Sequence, residues 1–513
     1  MARTIDASIL PLGDCSTKSS DQLSKHLPKT FQIIPNGCQN IPETVLDQIK
    51  NLIRKQEQTL TPQEEDAIDD GFILCDLKTI QRKLVAWRRL FPRIKPFFAL
   101  KCNPDIMVAH TLGLDPSCGF DCASIAEIKL ALSSTGNERT RCIYANPQRA
   151  RDDLDQALNL NIGALTFDGV EELHKVKDAY NRRIETWSQS SEVENDQRPP
   201  PPQMVIRLLV PDGHSSVPLG EKFGVAPDRV ERLTQEALNL GLEIIGVSFH
   251  CGSGCHDPQA YGEAIMIASQ AIHDVNGVIR KWNKSAQVSS RMPECTLLDI
   301  GGGYPGLCGV GGDSSRFSSV KSNFDEAESV GSSHEYDEID MGGIQLDNTA
   351  HAIAKVVTPL VDELFCPDGS PIQVISEPGR YFVESAFIYC ARIYSAKVDD
   401  NNGKRHYFIA QGVQGLFKDV LLCDETFTPI PLKVTESNAT AVNTNNSTLF
   451  QSTVHGPSGE NFDIVSSKDC MLPALDVGDW LIFDRMGAYT LSIAARNSSL
   501  PVRYVLGGEG DRS

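Results

Sequence analysis

The chain has 513 residues, of which 41% are hydrophobic and 22% are charged, and its formal net charge is −19. This length allows two domains with sizeable cores, while the acidic balance argues against a nucleic-acid-binding surface and against docking on anionic lipid. Because no apolar stretch is long enough to cross a bilayer, we expect no membrane span.

The first residues of the chain and the distribution of its cysteines bear on the cellular compartment in which the protein is expected. The first residues, MARTIDASILPLGDCSTKSS, lack the charged and then apolar organisation of a secretory signal. Fifteen cysteines are scattered without a repeating frame, which favours a reducing environment over a disulfide scaffold. Cysteine pairs such as Cys251/Cys255 lack the partners of a tetrahedral zinc site, so no metal is expected. We predict a cytoplasmic protein.

The predicted elements begin after a loosely ordered tail over residues 1–35. A segment over 36–76 carries the apolar run GFILCD, which we expect to join a later sheet. Eight β-rich runs with helical stretches between them then follow in chain order: PFFALK, GFDCAS, CIYAN, ALTFDG, QMVIRLLV, EIIGVSFHCGS, TLLDIGGG and IQVISEPGR. Eightfold alternation of strand and helix is the signature of a (β/α)8 barrel.

We place this barrel at 77–382. The polar segments near 182–203, 309–343 and 435–448 are too poor in apolar residues to pack, and we interpret them as insertions. Without the first two of them, the barrel segment has roughly the 250 residues that are usual for this fold. From 383 to 513, β runs follow without intervening helices. The predicted fold class is therefore α/β: a (β/α)8 TIM barrel plus a C-terminal β-sheet domain.

Polar residues and glycines collect at the carboxyl ends of the predicted barrel strands, where barrel enzymes hold their active sites. They are Lys101, Asp121, Arg207, His250, Ser253, Gly301, Gly302, Gly303, Glu377 and Arg380. Taken singly, Lys101 could be a solvated charge at a strand edge, and His250 could be a structural histidine. Their concentration at one end of the barrel favours a site.

The residue types at these strand ends suggest one ligand. A glycine triplet with Ser253 and Arg380 suits a phosphate dianion. Glu377 could hold a proton on a pyridine nitrogen, and His250 could stack on the ring. Lys101, kept neutral in a dry site, could capture an aldehyde. Phosphate, pyridine and imine together predict pyridoxal 5′-phosphate (PLP) as the cofactor.

Six stretches in order closely resemble eukaryotic ornithine decarboxylases, the PLP-dependent group with an alanine-racemase-type barrel: PFFALKCNPD, GFDCAS, VSFHCGSGC, LLDIGGGYPG, EPGRYFVESAF and VGDWLIFDRMGAYT. The resemblance implies that Lys101 forms the imine, Glu377 pairs with the pyridine nitrogen and His250 stacks on the ring. It implies phosphate contacts from Ser253, Gly301, Gly302, Gly303, Arg380 and Tyr489, and support from Asp121, Glu127 and Arg207. It also implies a head-to-tail homodimer with active sites at the interface, in which Lys222 helps to pair the subunits.

The substrate half of the motif set departs from that family. Where ornithine decarboxylases typically carry GPTCD, this chain has GPSGE, so Gly459 replaces the cysteine that protonates the α-carbon and Glu460 replaces a substrate-binding aspartate. His455 stands where a tryptophan is usual, and the position of a second aspartate holds Cys423, with Asp424 one place later. The candidate substrate contacts are Cys423, Asp424, His455 and Glu460, and the candidate catalytic residues are Lys101, His250, Glu377, Gly459 and Glu460.

Four functions stay open on this sequence. We favour a PLP-dependent decarboxylase that acts on an ornithine-like, lysine-like or larger specialised amino acid, in polyamine or alkaloid biosynthesis. The alternatives are a true ornithine decarboxylase that makes putrescine, an inactive regulator resembling antizyme inhibitors, and a decarboxylation-dependent transaminase that gives an aldehyde because Gly459 offers no proton. The sequence does not indicate whether an antizyme-like partner binds.

Overall fold

The computed structural model describes residues 30–33, 43–59, 71–189, 198–220, 222–288, 291–306, 348–365, 372–423, 425–435, 448–494 and 500–505. The strands within them are β1 Thr30–Ile33, β2 Phe72–Asp76, β3 Ile94–Ala99, β4 Gly119–Cys122, β5 Cys142–Tyr144, β6 Ala164–Phe167, β7 Gln203–Arg207, β8 Ser215–Val217, β9 Glu243–Ser248, β10 Ser253–Cys255, β11 Leu297–Asp299, β12 Gln373–Ser376, β13 Phe387–Arg392, β14 Ser395–Val398, β15 Arg405–Phe408, β16 Ile430–Thr435, β17 Leu449–His455, β18 Met471–Pro473, β19 Trp480–Phe483 and β20 Val502–Val505. The α-helices are α1 Glu43–Thr59, α2 Leu77–Leu90, α3 Ile106–Gly113, α4 Ile125–Ser134, α5 Arg151–Asn159, α6 Val170–Gln189, α7 Val230–Asn239, α8 Pro258–Ser285, α9 Asn348–Phe365, α10 Arg380–Val383 and α11 Asp419–Leu422.

Eight parallel strands close into a barrel in the order β3, β4, β5, β6, β7, β9, β11 and β12, and β12 pairs back to β3. A helix follows each strand, from α3 after β3 to α10 after β12. Each predicted β-rich run contains one of these strands, so the predicted (β/α)8 barrel is confirmed.

The barrel strands are rich in apolar residues because each presents side chains to two buried environments. In β3, Phe98 belongs to the large core that includes the surrounding helices, while Phe97 packs with Ile143, Val205 and Ile375 from three other barrel strands. A side chain at Gly119 would come within 2.6 Å of the Phe97 ring, so glycine makes room for it. This apolar packing fills part of the barrel and leaves the strand ends for polar side chains.

Strands from both ends of the chain share one sheet, in the order β1, β16, β19, β13, β2 and β20. Helix α1 covers this sheet, because Val45, Ile49 and Ile53 are buried in one cluster with Phe72 and Trp480. A second sheet, β14, β15, β17 and β18, carries the loop that follows His455. The sheet region is thus built from residues before and after the barrel, and the domain boundaries at 76/77 and 382/383 stay predictions.

The structure departs from the predicted tail and insertions in three places. Strand β1, inside the predicted tail, pairs antiparallel with β16. Helix α6 continues to Gln189 and β7 begins at Gln203, so the segment near 182–203 contains regular structure at both of its ends. Thr435 is the last residue of β16. The segment 309–343, and most of 435–448, lie outside the described residues.

Candidate active site

A pocket opens at the carboxyl end of the barrel strands, as the sequence predicted. It is lined by Ala99, Lys101, His250, Ser253, Gly303, Tyr304, Glu377, Gly379, Arg380 and Tyr489. Lys101 follows β3, His250 follows β9 and Glu377 follows β12, so side chains that are distant in sequence meet here.

The loop that follows Lys101 ties the barrel to the sheet region. Asn103 donates from Nδ2 to the Gly487 carbonyl (2.8 Å), and the Tyr489 N–H donates to the Cys102 carbonyl (3.0 Å). Asp105 caps α3 and also accepts from the Tyr504 hydroxyl (2.6 Å). These bonds bring Tyr489, which comes from the far end of the chain, to the same pocket as Lys101.

Lys101 forms an ion pair with Asp121, at 2.7 Å from Nζ to Oδ2. Asp121 is fully buried, whereas the lysine side chain keeps 36% of its surface exposed because it faces the pocket. Burial lowers the pKa of Lys101, but Asp121, Glu377 and Tyr489 raise it more, so the net pKa lies above its ordinary value. Desolvation alone does not make the amine neutral here, so the predicted neutral state of Lys101 depends on the cofactor as well. Without a bound partner, Lys101 is an ammonium, and the nearest group that can take its proton is Asp121.

Glu377 and Asp299 form a buried carboxyl pair beside Lys101. Glu377 is 7% exposed and Asp299 is 0% exposed. Burial, with the charges of Asp121 and Asp299, raises the pKa of Glu377 well above its ordinary value. Burial also raises the pKa of Asp299 to about 7. Sequence reasoning missed Asp299, although a carboxylate at the end of the buried strand in LLDIGGG was a visible signal.

His250 is held as a neutral imidazole. Its Nδ1 accepts a hydrogen bond from the Gly252 N–H (2.9 Å), which places the remaining proton on Nε2. Burial, with the cationic Arg207 and Lys101, lowers the pKa of His250 well below its ordinary value. A neutral, flat ring on the pocket wall is suited to stacking on an aromatic ligand.

The glycine triplet makes a cradle that side chains would fill. A Cβ at Gly302 would come within 2.5 Å of the Glu377 carbonyl, and one at Gly303 within 2.3 Å of the Gly252 carbonyl. Gly301 and Gly303 also have φ values of +65° and +100°, which favour glycine. The triplet therefore keeps its backbone free of side chains beside Ser253.

Arg380 supplies the cation beside this cradle. Its guanidinium lies 5.4 Å from the Tyr489 ring centroid and forms ion pairs with Glu384 (3.8 Å) and Asp419 (3.6 Å). Burial raises the pKa of the Tyr489 hydroxyl, so this group stays a neutral hydrogen-bond donor. A glycine cradle, an arginine and hydroxyl donors next to a lysine fit a phosphorylated aldehyde such as PLP.

Glu127 and Arg207, the other two candidate support residues, each have partners of their own. Glu127 closes a capping box on α4: its carboxylate accepts from the Ala123 N–H (2.8 Å) and from the Ser124 hydroxyl (3.0 Å). Arg207 ends β7 with its guanidinium 4.9 Å from the Phe223 ring centroid. Neither residue lines the pocket.

The candidate substrate residues lie in the sheet region, and among the described residues none of them lines the Lys101 pocket. His455 ends β17, while Gly459 (φ +72°) and the exposed Glu460 follow in the next loop. Cys423 follows α11. Asp424 lies outside the described residues.

Asp463, which sequence reasoning also missed, ties two of these loops together. It is 2% exposed and accepts from the Val413 N–H (2.8 Å) and from the Ser458 N–H (3.0 Å). The GVQG loop and the GPSGE loop therefore form one surface. His455 joins this surface through a 2.9 Å hydrogen bond with His406 and by stacking on Phe408, with ring centroids 4.9 Å apart.

No grouping of three or more metal-binding side chains occurs in the described ranges. The described helices also include none that is long and apolar enough to span a membrane. Each described cysteine, eleven in all, is a thiol rather than part of a disulfide.

Comparisons with known proteins identify the family of the chain. Residues 77–328 match the family model described as "Pyridoxal-dependent decarboxylase, pyridoxal binding domain". Ornithine decarboxylase of Panagrellus redivivus is 32% identical over 83% of this chain and 82% of its own length. Antizyme inhibitor 2 of Xenopus laevis is 31% identical over 90% of this chain and 85% of its own length.

Solved structures support the same fold. The arginine decarboxylase of Paramecium bursaria Chlorella virus, in a structure with bound agmatine, superposes with a TM-score of 0.64 at 25% identity, over 85% of this chain and 97% of that one. The lysine/ornithine decarboxylase of Vibrio vulnificus, with bound putrescine, has a TM-score of 0.62 at 20% identity, over 90% and 98% of the two chains. With the pocket chemistry described above, these findings show that the chain belongs to the eukaryotic ornithine decarboxylase family of PLP-dependent amino-acid decarboxylases.

Proposed function

We propose that this protein removes the α-carboxylate of an amino acid other than ornithine, one that is longer or carries a distal carboxylate. One observation carries the proposal: seven of the twelve candidate cofactor residues line the Lys101 pocket and Asp121 pairs with Lys101, while the residues expected to bind the substrate are replaced. A chain under selection only for its fold would have no reason to keep this buried set of charges.

Each residue of the pocket has its own proposed role in binding PLP. PLP, when bound, supplies an electron sink for the electrons that remain on the α-carbon after carbon dioxide leaves. Lys101 would hold the cofactor at its aldehyde group, and Asp121 Oδ2 is placed to take a proton from Nζ. Glu377 would face the pyridine nitrogen and His250 the ring, and Ser253, Arg380, Tyr489 and the glycine triplet would hold the phosphate.

The substrate surface supports the change of specificity. Ornithine carries a distal ammonium, and a buried ammonium without carboxylate partners costs several kcal/mol. Here Cys423 stands at one of the two expected carboxylate positions, and Glu460, one methylene longer than aspartate, stands at the other. The hydrogen-bonded pair of His455 and His406, in which burial lowers the pKa of His455, gives this surface hydrogen-bonding groups that suit a polar or acidic end better than a lone ammonium.

We also propose a cytoplasmic homodimer in which this surface completes the pocket of a second copy. The described candidate substrate residues do not line the pocket of their own chain, and large apolar side chains lie exposed near them: Leu421, Leu422 and Phe462. A second copy would cover these side chains. A place in polyamine or alkaloid biosynthesis stays a prediction.

Release of carbon dioxide from ornithine, lysine, arginine and diaminopimelate by the purified protein with PLP tests the proposal. We expect the highest kcat/KM on an amino acid other than ornithine. Brisk formation of putrescine from ornithine would contradict it and support a true ornithine decarboxylase.

Two other functions are favoured by specific observations. The 31% identity to an antizyme inhibitor favours a regulator without activity, and this function predicts that the protein neither binds PLP nor releases carbon dioxide. Gly459 favours a transaminase-like outcome, because no side chain there can protonate the α-carbon. Product analysis for aldehyde and pyridoxamine phosphate against amine and PLP separates this outcome from simple decarboxylation.

A further inference from the structure

Asp299 is the last residue of barrel strand β11, and its two carboxylate oxygens have different surroundings. Its Oδ1 accepts from the Gly301 N–H (2.9 Å), but its Oδ2 has no hydrogen-bond partner among the described residues, although the side chain is 0% exposed. A buried carboxylate oxygen without a partner costs free energy and calls for a physical reason.

The backbone brings Glu377 to this oxygen. Asp299 ends β11, which pairs in parallel with β12, and Glu377 is the residue after β12. The Glu377 N–H donates to the Gly301 carbonyl (2.7 Å), and Gly301 in turn donates to Asp299. One glycine therefore fixes the two acidic residues relative to each other, and their carboxyl groups interact.

Two neighbouring buried carboxylates cannot both be ionised cheaply. The charged groups that act on the pair are Asp121, whose charge disfavours ionisation, and Lys101, whose charge favours it. The pKa of both carboxyls is raised, that of Asp299 to about 7. At neutral pH the pair therefore retains a proton drawn from solvent.

We propose that Asp299 is a positioning residue for Glu377: the two groups share one proton, held between Asp299 Oδ2 and the Glu377 carboxyl, and this bond fixes how Glu377 faces the pocket. The inference rests on the proposed contact of Glu377 with the cofactor and holds for any amino-acid substrate. When Glu377 is ionised, Asp299 Oδ2 would keep the shared proton and donate a hydrogen bond to the Glu377 carboxylate.

Two substitutions at Asp299 separate this role from a purely structural one. In D299N the amide can donate to Glu377 through Nδ2 and accept from the Gly301 N–H through Oδ1, which imitates the protonated acid. In D299A both bonds are lost. We expect D299A to weaken PLP binding about ten- to hundredfold, measured from the absorbance of the bound cofactor, and D299N to restore it to within about threefold of wild type.

The matched control is S248A. Ser248 lies opposite Asp299 on the neighbouring strand β9 and is also buried. Its hydroxyl oxygen likewise has no partner among the described residues, but Ser248 has no carboxyl group that could share a proton with Glu377. S248A should bind PLP like wild type. Infrared difference spectra should show that the carbonyl band of one protonated carboxyl is lost in D299N and kept in S248A.

The outcomes are distinct. Wild-type PLP binding by D299A overturns the inference, and so does a D299N protein that binds as poorly as D299A, because an ionised Asp299 would then be required. If E377A leaves PLP binding and the absorbance band unchanged, the proposed cofactor contact of Glu377 fails first. Circular dichroism and thermal unfolding of each variant show that weaker binding does not reflect a misfolded chain.

Discussion

The Lys101 pocket and the surface formed by the GVQG and GPSGE loops are built in opposite ways. In the pocket, Asp121, Asp299 and Glu377 are buried and constrain one another's charge. On the surface, a Cβ added at Gly459 would meet no atom within 4 Å, and Glu460 is exposed. A change in the pocket disturbs several neighbours at once, whereas the surface tolerates replacement.

This difference explains why one chain can keep the cofactor residues of its family and lose the substrate residues. Pocket residues act on a reaction centre common to the family, and their pKa values depend on all of the others. The surface residues are proposed to contact one end of a substrate each. Four predictions test this division, from the largest expected effect to the smallest.

Substitution of Lys101 should abolish the function of the pocket while leaving the fold intact. K101A removes the only described lysine in the pocket, and we expect decarboxylation to fall at least about a thousandfold, or about 4 kcal/mol in activation free energy. Rates of carbon dioxide release measure this. The control is K95A, because Lys95 is an exposed residue of β3, the strand that Lys101 follows. Substantial activity in K101A, or an equal loss in K95A, would refute the assignment.

Restoring a thiol at Gly459 should move the surface back towards its relatives. In G459C with E460D we expect ornithine turnover to rise about tenfold, against a cost of about 1–2 kcal/mol for a side chain at φ +72°. Putrescine formation measures the change. G403C is the matched control for strain, since Gly403 also has φ +72° and open space around it. An unchanged product profile would show that Gly459 does not determine the reaction.

Asp463 should matter to the surface but not to the pocket. D463A leaves the Val413 and Ser458 N–H groups without their acceptor, so we expect a loss of about 1–3 kcal/mol in the free energy of unfolding, together with a higher KM. Absorbance of bound PLP should not change. A D463A protein that loses PLP while its KM is unaltered would contradict the separation of the two regions.

The smallest expected effect is a pH dependence. Asp299 has a pKa of about 7 in the folded chain and 3.8 ordinarily, so the folded state binds the proton more tightly. Its contribution to stability is fully present below pH ~4 and is lost as the pH rises through about 7. The Tm of the PLP-free protein should therefore fall less over this interval in D299N, which cannot ionise, than in wild type. Parallel curves for the two proteins would contradict the raised pKa.

Much of the fold followed from local patterns. Each barrel strand is a short apolar run between helical stretches, and periodicity reveals this directly. The end of α6 did not follow, because Arg182, Glu185 and Gln189 make the segment polar. Its helical spacing continues through Tyr180 and Ile184, which pack against the core. Strand β1 was missed because its partner, β16, lies about 400 residues away.

Some features of the site could likewise be predicted from the sequence, and others could not. Strand ends predicted which side chains meet, since parallel strands present their carboxyl ends together. The raised pKa of Lys101 could not be predicted, because it depends on charges from β4 and from the end of β12 that no local pattern reveals. The roles of Asp299 and Asp463 likewise depend on hydrogen bonds between segments that are distant in the sequence.

Covalent capture of the cofactor tests the central claim most directly. The purified protein is incubated with PLP, reduced with borohydride, digested and examined by mass spectrometry. We expect the phosphopyridoxyl mass on the peptide that contains Lys101, and its absence in K101A. A protein that stays colourless with PLP, or that carries the label on another lysine, would contradict the account.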